Sequence, residues 1–436
     1  MRIAFVSFIF VFASLSLQEI QAQRLESFDS HFAKSPLGKV QSKESAGFKV
    51  QWVHPRDEIF VDALLSYLEA ADQDLKPLFS AASGLKVKKV PVEIFPDLKT
   101  FSAVSGLSLA RFKATGTIAL TLDQRLMILS PRTMTGGYSW AITVVHEYVH
   151  YLIREIAPDH IPIWLHEGTA QLYQGFPYEK DPQLRPMQWG LFKRFKDKKE
   201  LLNLETLKEP FPYRKTPEEA ELAYVEALLF VKWLDKKCGV LKLIQKTAAL
   251  RDLDKALTFC TGLTPAQLNA RFIPEILNPI VIPNLKEVAF FARDFSGKDP
   301  LDVESRQASK ANRNLAQLSS ELFKQGRWRA SGLEMEKALS NEPTSPPSWR
   351  RQLANSYLRS GQSQQAVREL DRLLHDYPDD AAAWYILGAE RLKNKQTESG
   401  WQAFLRAFFV NPFLDGLHEG MQAMKEQSPS LTYKLD

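Results

Sequence analysis

The sequence predicts an α+β domain followed by an all-α solenoid of helical repeats. Three short runs with the residue types of β-strands precede a long apolar helix in the first half of the chain. In the C-terminal third, three prolines are spaced 35 and 34 residues apart, and similar apolar residues precede each of them. A length of 436 residues suits two or three domains.

Composition and charge narrow the class of protein further. Hydrophobic residues make up 44% and charged residues 25%, which are ordinary globular values, so disorder is excluded as the main state. The net charge of +5, from 56 basic and 51 acidic residues, is too small over this length to indicate nucleic acid or an anionic membrane surface. Two cysteines exclude a disulfide-rich scaffold and any cysteine-based zinc or iron–sulfur module.

The N-terminal segment, residues 1–22, predicts a secretory signal peptide. Arg2 gives a basic start, residues 3–17 carry no charge, and Ala22 follows a polar stretch as the expected cleavage site. The apolar run is shorter than the roughly 20 residues that a spanning helix needs, which favours cleavage over a membrane anchor. Because no later segment approaches a membrane span, we expect an exported protein, periplasmic or secreted.

The two cysteines, Cys238 and Cys260, could pair in such a compartment. The disulfide would close a loop of about 23 residues and stabilise the fold by roughly 3 kcal/mol. Two unpaired buried thiols that pack as small hydrophobic groups fit the sequence equally well.

A pattern with a period of 34 to 35 residues recurs in the C-terminal third. It ends each time on a proline, with a small or apolar residue five and eight positions before that proline. The residues are Pro343, Pro378 and Pro412, preceded by Ala338, Leu373 and Ala407 and by Met335, Leu370 and Phe404. Gly326 and Gly361 fall where a helix pair must turn, whereas the third unit has Lys395 there and Gly400 in place of a small alanine.

This pattern resembles the tetratricopeptide repeat over residues 310–412, in three units. The resemblance implies helix pairs that stack into a short superhelix, because one pair cannot bury its apolar face alone. We expect the repeat surface to bind a protein partner, and a role limited to bracing the first domain remains open. The polar residues 296–309 are interpreted as a linker between a first domain at 23–295 and repeats at 310–420, with a tail at 421–436.

Residues 138–156, YSWAITVVHEYVHYLIREI, predict a buried helix because the segment is apolar on all sides. Polar groups on such a helix need partners, since leaving them unpaired is unfavourable. His146 and His150 are four residues apart, so their imidazoles lie on one face and can bind one Zn²⁺. Glu147 lies on the adjoining face, where it can reach a metal-bound water without being a ligand. This is the H-E-x-x-H motif of zinc peptidases.

The segment IPIWLHEGTAQLY, residues 161–173, predicts the next antiparallel helix. A metzincin is excluded, since Ile153 and Ile156 occupy the positions of its glycine and histidine. Together, H-E-Y-V-H and W-L-H-E-G-T-A resemble the gluzincins, specifically the peptidase MA-like family of thermolysin-type zinc hydrolases. The resemblance covers about residues 90–250 and implies a small sheet, an active-site helix and a helical lobe.

The resemblance also implies a metal site and a general base. His146, His150 and Glu167 would bind one zinc ion, and Glu147 would take the proton of a zinc-activated water during peptide hydrolysis. His166 is the rival third ligand; it points about 100° away from Glu167 on the same helix, so only one of the two can face the metal.

Four further features bear on the site that the resemblance implies. Gln171 stands where thermolysin-like enzymes have a carboxylate that orients the first histidine; its amide can still accept an imidazole N–H, but it is neutral. Gly168 would let two helices approach closely. Tyr224 is the candidate oxyanion donor, with a plain core role left open and Tyr138 as a weaker rival. Residues 126–130 are the candidate edge strand for extended substrate, although a purely structural hairpin fits as well.

Three functions therefore compete. The first is an exported zinc metallopeptidase whose repeats bind a partner or the substrate. The second is a peptidase-like scaffold with little or no activity that acts through its repeats. The third is a metallohydrolase of a non-peptide amide. Substituting Glu147 separates the first two, because an enzyme would lose activity while keeping its zinc.

Overall fold

The computed structural model describes residues 27–33, 38–80, 89–109, 112, 116–157, 161–211, 214–284, 288–289, 304–340 and 346–433. The predicted signal peptide, most of the predicted linker and the repeat proline Pro343 lie outside these residues. Within them, no helix combines the length and apolar character required to cross a bilayer.

The first domain is built on a mixed sheet of five strands in the order β1-β2-β3-β5-β4. The strands are β1 Gln41–Glu44, β2 Phe48–Trp52, β3 Val90–Phe95, β4 Ala119–Leu122 and β5 Arg125–Leu129. β2, β3 and β5 run parallel, whereas β1 and β4 close the two sides antiparallel. Three of these strands were predicted from their apolar β-type residues, while β1 and β2 were not.

The structure corrects the predicted edge strand. β5 lies inside the sheet, between β3 and β4, so residues 126–130 do not form the edge and β4 does. The reason is burial: residues 126–129 are all fully buried, and a strand covered on both faces belongs in the interior of a sheet. A two-residue turn at Asp123 and Gln124, with φ of 48° and 59°, joins the two strands.

Helices surround this sheet and form the helical lobe. They are α1 Phe28–Phe32, α2 Val61–Ser80, α3 Leu98–Ser105, α4 Trp140–Ile156, α5 Ile163–Tyr173, α6 Pro186–Lys198, α7 Pro217–Cys238, α8 Val240–Leu250, α9 Leu253–Thr261 and α10 Pro265–Arg271. Short 3₁₀ turns occur at Pro55–Phe60, Pro131–Thr133, Thr206–Lys208 and Ser305–Gln307, and a π-helical turn at Phe272–Leu277 follows α10. A disulfide joins Cys238 at the end of α7 to Cys260 in α9, which resolves the alternatives for the two cysteines.

The C-terminal part is a stack of helix pairs, as predicted. The helices are α11 Lys310–Lys324, α12 Trp328–Ser340, α13 Pro347–Arg359, α14 Ser363–Asp376, α15 Ala381–Lys393, α16 Thr397–Val410 and α17 Leu417–Gln427. The three predicted turn positions Gly326, Gly361 and Lys395 all have positive φ, at 74°, 81° and 59°. Gly400 faces Gly388 where α15 and α16 touch; a Cβ on Gly400 would lie 3.3 Å from the Gly388 backbone oxygen. An α+β domain followed by all-α repeats is therefore the observed architecture.

The third repeat does not stand apart from the first domain. The first two repeats have small cores of their own, whereas α16 and α17 share the large core of the first domain. Trp140, the first residue of α4, packs against Phe408 and Phe409 and donates its indole N–H to the Phe408 backbone oxygen at 2.8 Å. The predicted boundary at residue 420 falls inside α17. The last repeat therefore braces the start of the helix that carries the H-E-x-x-H motif.

Candidate metal centre

The H-E-x-x-H motif lies on α4, which is central to the first domain because its residues are apolar almost all round. Ten of its residues are buried, including Val144, Val145 and Val149. The helix begins after Ser139, the predicted N-cap, but that hydroxyl does not cap it. It donates instead to the carboxylate of Asp379, in the loop before α15. The N-terminus of α4 is thus fixed by the repeats rather than by its own side chain.

Three candidate ligand atoms converge between α4 and α5. Nε2 of His146 lies 3.1 Å from Nε2 of His150 and 3.2 Å from Oε2 of Glu167, and the third distance, from His150 to Glu167, is 3.5 Å. Tetrahedral zinc with bonds of 2.0–2.1 Å separates its ligands by about 3.3 Å. Among the residues that the structure describes, this is the one cluster of three or more such groups with metal-site geometry. The donor set of two imidazoles and a carboxylate fits zinc.

The electrostatics of these groups depend on burial and on each other. Burial raises the pKa of the Glu167 carboxyl, but His150 and His146 lower it more strongly, so this pKa lies far below its usual range. Burial is the largest single effect on His146 and lowers its pKa, but the hydrogen bond and charge of Glu167, together with Glu147 and Gln174, outweigh it and the net pKa is raised. Glu167 is therefore an anion that faces two ring nitrogens, as a ligand set for a divalent cation requires.

Gln174, not Gln171, orients the first histidine. Nδ1 of His146 lies 3.0 Å from Oε1 of Gln174, so the ring N–H can donate there and leave the Nε2 lone pair facing the cluster. The amide of Gln171 donates instead to the backbone oxygens of Tyr224, at 2.9 Å, and Glu167. The prediction for Gln171 fails because its position on α5 turns it toward α7. Both residues lie on the Glu167 face of α5, at i+4 and i+7, and only the packing distinguishes them.

Glu147 is held by the edge strand. The hydroxyl of Thr121 on β4 lies 2.7 Å from Oε2 of Glu147 and 2.7 Å from its backbone oxygen, so it can donate to either. Glu147 itself is 7% exposed and follows the first histidine directly in α4. The Glu147 carboxylate is thus fixed beside the edge strand β4.

Two basic residues flank the cluster. His166, the rival ligand, stays outside the group of three; burial, followed by His150 and Arg154, lowers its pKa to about 3. Arg154, one turn after His150, donates from Nη1 to the backbone oxygen of Thr121 at 2.9 Å. Sequence reasoning missed Arg154, Thr121 and Gln174. The only signal in the sequence was the four-residue spacing of Arg154 after His150.

The remaining predicted residues have structural contacts. The ring of Tyr224 packs edge-on against Phe211 with centroids 5.0 Å apart, and its role as oxyanion donor stays a prediction. The rival Tyr138 is buried and donates its hydroxyl hydrogen bond to the backbone oxygen of Leu129, so this hydroxyl does not serve as the oxyanion donor. Gly168 does sit at a close helix contact, since a Cβ there would lie 2.5 Å from the Ala227 backbone oxygen on α7.

Comparison with known families agrees with this arrangement. Residues 71–277 match the Peptidase MA superfamily model, a stretch that contains α4, α5 and the whole cluster. Residues 347–390 match a tetratricopeptide repeat model. The chain therefore carries a Peptidase MA superfamily domain followed by a tetratricopeptide repeat, and the resemblance predicted from its motifs is confirmed.

Other similarities are weaker. No curated protein matches the chain. Among solved structures, the chain matches the tetratricopeptide repeat domain of Sgt2 from Aspergillus fumigatus at 18% identity. That match covers 28% of this chain and 80% of the other, with a TM-score of 0.26, and supports no further conclusion.

Proposed function

We propose that this protein is an exported, zinc-dependent metallopeptidase. The observation that carries the proposal is the convergence of Nε2 of His146, Nε2 of His150 and Oε2 of Glu167, at 3.1 to 3.5 Å from one another. Glu147 provides a buried carboxylate beside this cluster. The Peptidase MA superfamily match supports the same chemistry.

In the proposed mechanism, bound Zn²⁺ supplies a Lewis acid that polarises the scissile carbonyl and lowers the pKa of water. His146, His150 and Glu167 would hold it. Glu147 takes the proton of the attacking water and passes it to the leaving amine nitrogen, while the Thr121 hydroxyl keeps its carboxylate in place. An extended peptide would pair with β4, the edge strand.

The test combines metal content with peptide hydrolysis. The purified mature protein should hold about one zinc per chain, and Glu167→Ala should lose most of it. Glu147→Gln should keep the zinc and lose hydrolysis. Glu155→Gln is the matched control, because Glu155 lies on the same helix but its charge acts on Tyr151 rather than on the cluster; it should behave as the wild type.

Absence of zinc after incubation with the metal would exclude the hydrolase. Full zinc content with no cleavage of any peptide would favour the second candidate, a scaffold that acts through its repeats. The position of α16 and α17 in the core gives that candidate a structural basis, since the repeats then contact the peptidase domain directly.

Export is part of the proposal. Residues 1–22 have the pattern of a signal peptide, and the Cys238–Cys260 disulfide supports an oxidising compartment. The mass of the protein recovered from the periplasm or medium would show whether the segment is removed.

The repeats are proposed to bind a protein partner. A groove of about 600 Å³ between α14, α15 and α16 offers one location. Its charged side chains include Asp371, which pairs with Arg391 at 3.6 Å, and Arg406, which stacks on Trp384 at 5.3 Å. A partner for this groove would need both polar groups and an apolar side chain.

A further inference from the structure

Arg154 lies on the same face of α4 as His146 and His150, the two candidate metal ligands of this helix. It follows His150 by four residues and His146 by eight, so the three side chains leave the helix on one face, with about 6 Å between turns. Its Nη1 donates to the backbone oxygen of Thr121, whose hydroxyl contacts Glu147. The guanidinium is therefore fixed at the edge strand, one helical turn beyond the cluster.

The charge of Arg154 has no matching carboxylate among the described residues. Two other partly buried arginines do have one: Arg125 pairs with Glu93 at 3.1 Å and Arg350 with Glu369 at 2.5 Å. Arg154 makes no ion pair within 4.0 Å in the described part of the chain. Glu147, Asp123 and Glu167 act on it only through charge interactions at longer range. Within the described residues, Arg154 donates one hydrogen bond, whereas a guanidinium has five N–H donors, which can bind a carboxylate through two parallel hydrogen bonds.

The hydrogen bonds of β4 indicate which part of a peptide would reach Arg154. The N–H of Leu129 donates to the oxygen of Ile118, so Ile118 and Leu120 pair with β5 and the backbone groups of Ala119 and Thr121 point outward. The outward oxygen of Thr121 is already taken by Arg154. A peptide that pairs with β4 at Ala119 would therefore meet the Arg154 guanidinium at Thr121.

We infer that Arg154 binds a carboxylate of the peptide next to the bond that is cleaved. This inference rests on the proposed peptidase function, and it names the substrate class: peptides with a negative charge at that point. The carboxylate can be the C-terminus of the peptide or an acidic side chain. Either group presents two oxygens to the guanidinium. Either would also supply the negative charge that Arg154 lacks among the described residues.

The experiment measures binding to the zinc-loaded full chain carrying Glu147→Gln, so that no peptide is consumed. Three acetylated tetrapeptides serve as probes: tetra-alanine with a free C-terminus, the same peptide as an amide, and an amide in which one alanine is glutamate. Calorimetry should show at least about tenfold tighter binding of one charged probe than of the neutral amide. Preference for the free C-terminus identifies the terminal carboxylate, and preference for the glutamate peptide identifies the side chain.

Adding Arg154→Gln should remove this preference. Adding Arg154→Lys should leave part of it, because lysine keeps the positive charge but lacks the planar guanidinium that makes two parallel hydrogen bonds. Arg194→Gln is the control, since Arg194 pairs with Glu218 on the surface of α6. Zinc content and thermal unfolding show whether each variant is folded. If the Gln variant does not fold, the Lys variant decides.

Two results would overturn the inference: equal binding of all three probes by the parent protein, or a preference that Arg154→Gln leaves intact. Hydrolysis by the wild type is measured separately with the same peptides. An Arg154-dependent preference without any hydrolysis would reject the peptidase and leave the carboxylate site standing. Hydrolysis without an Arg154-dependent preference would support the peptidase and reject the carboxylate site.

Discussion

Replacing Gly168 by alanine should force apart the helices that position Glu167. α5 crosses α7 so closely here that a Cβ on Gly168 would lie 2.5 Å from the backbone oxygen of Ala227 and 2.6 Å from Cγ2 of Val231. The first approach falls 0.9 Å short of the 3.4 Å at which ordinary Cβ contacts begin. A backbone oxygen cannot rotate away as a side chain can, so the helices themselves must separate.

The magnitude follows from two opposing effects. Overpacking of this kind costs about 1–3 kcal/mol, and the better helix propensity of alanine returns at most about 1 kcal/mol. We expect a net loss of about 1–2 kcal/mol in the free energy of unfolding. Because Glu167 is the preceding residue, a displacement near 1 Å exceeds the roughly 0.5 Å that a binding constellation tolerates. Zinc affinity should therefore fall at least about tenfold.

Urea unfolding with and without zinc measures the first effect, and competition with a chromophoric chelator measures the second. Gly332→Ala is the matched control: it lies inside α12, and the nearest atom to its Cβ would be Cβ of Ser356 at 3.6 Å. That variant should gain up to about 1 kcal/mol and bind zinc normally. If Gly168→Ala is as stable as the wild type and binds zinc equally well, the reasoning from the close helix contact is refuted.

Three further predictions concern other sites. Burial raises the pKa of Asp57 to about 6 in spite of the hydrogen bond from Ser130, so the carboxyl favours the folded state only while protonated. Relative to Asp57→Asn, the free energy of unfolding should fall by about 2–3 kcal/mol as the pH rises from about 4 to about 7, and parallel urea titrations of the two proteins that show no divergence would contradict this. Lys395→Gly should raise the free energy of unfolding by about 0.5–1 kcal/mol, because φ is 59° there, and an unchanged urea midpoint would speak against strain at this turn. Gln174→Ala should weaken zinc binding about tenfold or more through loss of the His146 contact, and unchanged affinity would remove Gln174 from the site.

The sequence predicted those parts of the site that depend on local geometry. His146, Glu147 and His150 lie on one helix, so their relation is set by spacing alone. Glu167 was predicted through the family resemblance, and the structure places its carboxylate, rather than His166, against both imidazoles. The repeat turns were predictable for the same local reason.

The contacts between elements could not be predicted. Whether Gln171 or Gln174 meets His146 depends on how α5 crosses α4, and both are compatible with the sequence. The edge strand was assigned wrongly although a signal existed, since residues 125–129 are more continuously apolar than residues 119–122. Residues 401–410 are likewise more apolar than a helix needs in order to pack on the neighbouring repeat alone, which indicates a second packing surface.

The packing of Trp140 against the last repeat has a consequence for the order in which the protein is made. Its hydrogen bond to Phe408 spans 268 residues of chain. During synthesis, α4 emerges long before the residues that cover its first turn. We expect a chain that stops before α16 to leave the indole of Trp140 without its Phe408 partner, so that the first turn of α4 becomes fully ordered only once the third repeat is in place.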